Sequence, residues 1–267
     1  MSGARRYRLR PWRRSARRAV LLSCFWLMLP GANPAAAQEI TAARYVSPTD
    51  EYPHGALGDD LEWGAVQITI SREAGSEGGL FHGRADLTYE IKAPANMVFE
   101  DTSPRLWDVD GDELPEVVTV LSHRDFGAQL AVIGFRDGSF SYIAATPVIG
   151  TRFRWLAPVG AADLDGDGHI ELAYVLTPHL SKTLHVWRYR DGEFNLVAQQ
   201  PGLTNHKIGW DHIPGGIRDC GDVAEIVTAT ADWSRIVAST LSDGMIRTRD
   251  IAAYSGPDSL NAALNCR

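Results

Sequence analysis

Asp108-Val109-Asp110-Gly111-Asp112-Glu113-Leu114-Pro115-Glu116 recurs 55 residues downstream as Asp163-Leu164-Asp165-Gly166-Asp167-Gly168-His169-Ile170-Glu171. Each nonapeptide puts carboxylates at positions 1, 3, 5 and 9 and glycine at position 4. Each then enters an apolar β-type run, Val117-Val118-Thr119-Val120-Leu121 in one copy and Leu172-Ala173-Tyr174-Val175-Leu176 in the other. Second runs follow, Leu130 to Phe135 before Arg136-Asp137-Gly138 and Leu184 to Tyr189 before Arg190-Asp191-Gly192. Asp-Gly between apolar runs is a strong hairpin signal, since the tight turn needs residues that tolerate positive φ. A third run ends near Pro147 and Pro201, 54 apart.

Weaker copies flank this pair. Glu225-Ile226-Val227 stands 54 after Glu171, with Ser242-Asp243-Gly244 as its turn. Upstream, Glu62 stands 54 before Glu116 with Trp63 to Ile70 as its strand, and Tyr89 and Pro94 lie 53 before Tyr142 and Pro147. The spacing predicts units of approximately 50–103, 104–158, 159–213 and 214–267. Each holds three or four short strands, without a sustained helical period or a connection long enough for a parallel crossover. Antiparallel units repeated at this length predict an all-β fold, a β-propeller of about four repeats of ~54 residues. A β-sandwich is the alternative, and the matching turn and proline offsets argue against it.

The acidic loops have the chemistry of a hard cation site. Ca²⁺ takes about six to eight oxygens at about 2.3–2.6 Å. Asp residues alternating on a curled loop can turn inward, and a backbone carbonyl from position 7, Leu114 or His169, can complete the shell. Without a cation, carboxylates this close repel and some take up protons. Turn propensity alone accounts for one or two aspartates, not for the same four-acid spacing twice. No thiolate or His cluster accompanies the loops, which disfavours zinc and copper, and Mg²⁺ keeps more water. An EF-hand loop is longer and flanked by helices; here the last acid is at position 9 and a strand follows.

These two loops, each running into an apolar strand, resemble the calcium-binding loops of FG-GAP/VCBS repeats, the blade units of integrin α-subunit propellers and of many exported bacterial proteins. The resemblance implies two Ca²⁺ ions at the blade periphery. One would be held by Asp108, Asp110, Asp112 and Glu116, the other by Asp163, Asp165, Asp167 and Glu171. The family usually ends its loop with Asp where this chain has Glu, and Glu113 stands where the second loop has Gly168. The outer copies lack the full set of acids, with one of the three aspartates remaining in the last and none in the first. Ile217, Asp219 and Gly221 occupy positions 1, 3 and 5 of the last, and His54, Ala56 and Gly58 those of the first.

Residues 1–37 have the layout of a secretory signal peptide, leaving residues 38–267 as one repeat domain. An arginine-rich start precedes an apolar run, Ala19 to Leu29, and Ala35-Ala36-Ala37 provides an A-x-A cleavage site. The apolar run is shorter than the ~20 residues that span a bilayer, so no stable span is expected after cleavage. Arg17-Arg18 leaves Sec and twin-arginine export both open. Eight of the 26 basic residues lie in the first 18 positions, and all 33 acids lie from Glu39 onward. The remainder carries 18 basic against 33 acidic residues, −15, which argues against a nucleic-acid partner. Removal of the segment also leaves Cys220 and Cys266, in a compartment that permits disulfides, and the two are expected to pair.

His206 and His212, with Lys207, Trp210 and Asp211, form the densest polar-aromatic cluster; together with His123, His179 and His185 they are candidates to line a pocket. Their spacing matches neither H-E-x-x-H nor a compact zinc motif, and there is no nucleophile elbow or phosphate loop. No catalytic residue is therefore assigned. Trp63, Trp155, Trp187, Trp210 and Trp233 are expected to pack between blades. The function expected is that of an exported, periplasmic or secreted, calcium-binding propeller that binds or scaffolds a protein or glycan partner. A propeller-based hydrolase or lyase acting on an envelope polymer is the alternative, and a purely structural envelope protein a third.

Overall fold

The computed structural model describes residues 38–74, 83–221 and 223–266; the expected signal segment, 1–37, lies outside them. Strands β1 (Glu39–Thr49), β2 (Glu62–Ala74) and β3 (Gly83–Lys92) form the first blade. In the second, β4 (Met97–Phe99) and β5 (Arg105–Trp107) both pair with β6 (Glu116–His123), followed by β7 (Gly127–Arg136) and β8 (Ser139–Ala145). The third is β9 (Leu156–Ala162), β10 (Glu171–Leu176), β11 (Thr183–Arg190) and β12 (Glu193–Pro201). The fourth has β13 (Leu203–Thr204) and β14 (Gly216–Asp219), both on β15 (Ala224–Thr230), then β16 (Arg235–Ser242) and β17 (Met245–Ala253). All these pairings are antiparallel, and a Trp63–Phe99 bridge joins the first two blades.

The blades stack because their central strands are apolar on both faces. Along β10, Leu172 and Tyr174 enter the core shared with Val118, Val120 and Leu130 of the second blade. Ala173 and Val175 enter the core shared with Ile226, Val237 and Leu241 of the fourth. Since side chains alternate across a strand, an unbroken apolar run requires a partner sheet on each side. β6 is divided likewise, with Val117 and Leu121 packing against Ile68 and Ile70 of the first blade. Burial then falls outward, and β8, β12 and β17 are largely exposed. β9 and β14 pack closely at Gly160, where a Cβ would meet Ile217 Cγ1 at 2.7 Å. The fold is all-β and propeller-like.

Two expectations change. The boundaries at 103/104 and 213/214 separate short strands that pair with the same neighbour, and 158/159 falls inside β9. The acidic loop sets the phase of the sequence repeat, whereas hydrogen bonding delimits the blades. The first blade begins at Glu39, and its β1–β2 turn lies beside the β6–β7 turn, where Arg124 pairs with Glu51 at 2.7 Å. Glu62 therefore opens the strand equivalent to β7, not β6, and its spacing to Glu116 does not reflect a shared position.

The chain ends in helix α1 (Pro257–Leu264), whose eight residues are too few for a periodic signal in the sequence. Pro257 stands in its first turn, where the missing N–H costs nothing. Leu260 and Ala263 are buried against Val227 and Ile236. Arg218 Nη1 donates to Ala263 O at 2.7 Å, and Cys220 is bonded to Cys266 across 46 residues, as expected from the sequence. A loop of that length predicts a loss of about 4 kcal/mol for Cys220→Ser, read as a lower urea midpoint. Thiol titration of the unreduced protein without residues 1–37 should find no free thiol.

Candidate metal centres

The two acidic loops share most of their hydrogen bonds, differing at the fifth amide, where Asp112 N donates to Asp110 Oδ1 but Asp167 N to Asp163 Oδ1. Asp108 Oδ1 accepts from Gly111 N and Oδ2 from Glu113 N, at 2.7 and 3.0 Å. Asp163 accepts from Gly166 N and Gly168 N at the same two distances. Asp112 Oδ1 accepts from Leu114 N and Asp167 Oδ1 from His169 N, at 2.9 and 3.0 Å. The last acid closes each loop, with Glu116 Oε2 accepting from Val109 N and Glu171 Oε2 from Leu164 N, at 3.0 and 2.8 Å. The first acid thus curls the loop and the ninth fastens it. Glu113 takes φ 68° where Gly168 takes φ 85°, so the second loop has glycine where the first strains a side chain.

These bonds bring Asp108, Asp110 and Glu116 together, and Asp163, Asp165 and Glu171, with one carboxylate oxygen of each within 4.8 Å of the others. Asp112 and Asp167, expected as ligands, lie outside these triads and serve mainly the turn. An arginine enters each site. Arg136 Nη2 donates to Glu116 Oε1 at 2.8 Å and also reaches Asp110. Arg188 binds Glu171, Asp165 and Asp167 at 2.5–2.8 Å.

One guanidinium leaves each loop under-neutralised. Burial raises the pKa of Glu116 and of Glu171 despite the arginine beside each. In the fourth blade the balance reverses. Burial again raises Glu225, but hydrogen bonds from Arg218 and Arg249 outweigh it and hold this carboxyl low. Here β14 runs through Asp219 and leaves only a short turn, so two arginines replace the acidic loop. The third-blade loop also retains an orphan, since Asp165 Oδ1 is buried without a hydrogen-bond partner. An all-oxygen donor set with surplus negative charge and an unused buried oxygen fits a hard cation.

Residues 108–174 match the family model described as an FG-GAP-like repeat. This segment is similar to an FG-GAP-like repeat. It opens at the first acidic loop and runs through β6–β9 into β10, so the FG-GAP-like unit is offset from the hydrogen-bonded blade. No curated protein matches the chain. Among the described residues, no helix is long and apolar enough to cross a membrane.

The five histidines named from the sequence do not form one site. His179 Nε2 and His206 Nδ1 are 2.8 Å apart, and His206 Nε2 lies 2.9 Å from Trp210 O. Burial lowers both to about 4, so they are neutral imidazoles at neutral pH. His212 pairs with Asp211 on the surface, His185 is enclosed by Tyr174 and Trp187, and His123 packs on Phe126. Trp155 lies in the core between blades, with Trp63 and Trp187 packed against such cores. Trp210, Trp233 and Tyr254 instead surround the Lys207 ammonium at 4.7–5.4 Å.

Sequence reasoning missed the arginines at the loops, because they reach them from other strands. It also missed a buried acidic group, Glu62, Glu100 and Asp101, with His54 on Glu100 and Arg105 on Asp101. Burial, reinforced by the Glu100 charge, pushes Glu62 up to about 10. Its proton is kept in the fold at pH values where the unfolded chain has lost it. Its contribution is therefore complete below its ordinary value of 4.5 and is lost as pH rises toward 10. Glu62→Gln should gain stability relative to wild type as pH is raised across that window, read by urea unfolding at several pH values. Glu113→Gly should raise stability by about 1 kcal/mol through relief of the left-handed strain, with Gly168→Ala costing a similar amount.

Proposed function

We propose that this protein is an exported, calcium-binding propeller that works as a binding module for a protein or glycan in the periplasm or outside the cell. The observation that carries the calcium reading is the contrast among blades. Two FG-GAP-like loops keep three converging carboxylates against one arginine, whereas Glu225, without an acidic loop, has two. Asp108, Asp110 and Glu116 would hold one ion, and Asp163, Asp165 and Glu171 the other, with Asp112, Asp167 and the carbonyls of Leu114 and His169 as further candidates. A bound cation would supply the positive charge that the single guanidinium lacks. Export rests on the tripartite layout of residues 1–37.

A hydrolase or lyase would need acids beside the His206–His212 cluster. Asp211 and His212 pair in the open, and the hollow at His206 is lined without a carboxylate.

Calorimetry on chelator-treated protein lacking residues 1–37 should show two Ca²⁺ per chain. Ca²⁺ at about a hundred times Kd should add about 2.7 kcal/mol per site and raise Tm. Asp165→Asn should remove one site and leave the other. Absence of binding at millimolar Ca²⁺ would end the calcium reading. Amino-terminal sequencing of the exported chain should begin at Gln38.

A further inference from the structure

At the end of β10 opposite its acidic loop, the connections 50–61, 146–155, 177–182 and 205–215 surround two adjoining hollows of about 250 and 300 Å³. The hollows share Pro178, His179 and Ile208. Their lining has a consistent sign: Arg154, Lys182 and Lys207 contribute, and no aspartate or glutamate does. On a body of −15 this local reversal is notable, because a pocket of one charge concentrates ligands of the other.

These cations are also unspent. Most arginines described above are committed to carboxylates, whereas Arg154 Nη1 donates to Phe153 O, Lys182 Nζ donates to Ala231 O, and Lys207 rests among aromatic rings. Arg152 lies beside them, 4.5 Å over the Phe153 ring. Among the described residues, none of these four has an acidic partner. The walls are flat and apolar, with Phe153 in the first hollow and Trp233 in the second. The buried Glu100 holds His54 behind Phe153, the two rings stacking at 5.1 Å. His179 is tied through His206 to Trp210 O, so the polar groups that meet a ligand are preorganised. The hollows lie at or below the lower end of the ~300–1,000 Å³ of a drug-sized site, which suits one ring apiece.

We propose that these hollows bind a carboxylate-bearing ring, a uronic acid in chemical class, with its ring on the aromatic wall and its carboxylate against Arg154 and Lys182. A free sugar acid and the terminal unit of an acidic glycan present the same group. The inference rests on the protein's being a binding module, but not on its metal loops, which lie at the other end of the strands.

The test is calorimetry with glucuronate, with glucose as the uncharged equivalent, and with a short oligogalacturonate. Glucuronate should bind at millimolar concentration or tighter, glucose about tenfold more weakly or not at all, and added salt should weaken the acid. Binding of the monomer assigns a free acid. Binding of the oligomer alone, with the same dependence on the pocket, assigns a polymer end. Arg154→Gln should weaken either about tenfold. Ile208→Glu changes a side chain that is 70% exposed, so folding is spared, and places a carboxylate at the shared mouth. It should abolish binding with Tm unchanged. Equal affinity for glucose, retention of binding in Ile208→Glu, or silence with both acids overturns the proposal. A Ca²⁺ titration of the same sample separates outcomes: acid-silent protein that still binds Ca²⁺ refutes the pocket alone.

Discussion

Burial of the central strands on both faces is the constraint that organises this molecule. β6 and β10 consist of residues that alternately enter two different cores. An antiparallel sheet with one wet face would show alternating polarity instead. A single blade cannot satisfy such a strand, so each blade exists by virtue of its neighbours, as in other quasi-one-dimensional repeats. The outer strands are freed from this requirement and are accordingly polar and exposed.

The same constraint creates the electrostatic problem at the strand starts. Glu116 and Glu171 begin, and Glu225 stands second in, strands that enter the interior, and each is almost wholly buried. A buried carboxylate must be hydrogen-bonded and paired or it takes up a proton. The protein gives each a guanidinium, but from a different place: the end of β7 for Glu116, mid-β11 for Glu171, and both β14 and β17 for Glu225. In the fourth blade the pair of arginines, the disulfide and helix α1 together replace the acidic loop. Staple and ion pairing have there taken over what the loops of the second and third blades leave to an unmatched charge.

Charge is also segregated along the strands. Acidic loops occupy one end, and the opposite end of the third blade gathers basic and aromatic groups around two hollows. The buried Glu62, Glu100 and Asp101 lie behind this second end, where His54 and Arg105 engage the latter two. A strongly negative net charge therefore coexists with a locally positive pocket.

Composition, the doubled nonapeptide and the turn offsets by themselves determined the all-β repeat class, the curl of both acidic loops and the Cys220–Cys266 pair. These are local or pairwise properties: an Asp accepts from amides a few residues ahead, and Cys220 and Cys266 are the two cysteines outside residues 1–37. Helix α1 was too short to announce itself, and Glu62 shared a spacing with Glu116 by coincidence. Blade limits, the arginines that reach the loops, and the convergence of His54, Phe153, Arg154 and His179 were decided only by the tertiary structure. Those groups come from separate connections up to 125 residues apart, and strand pairing, not sequence spacing, sets which of them meet.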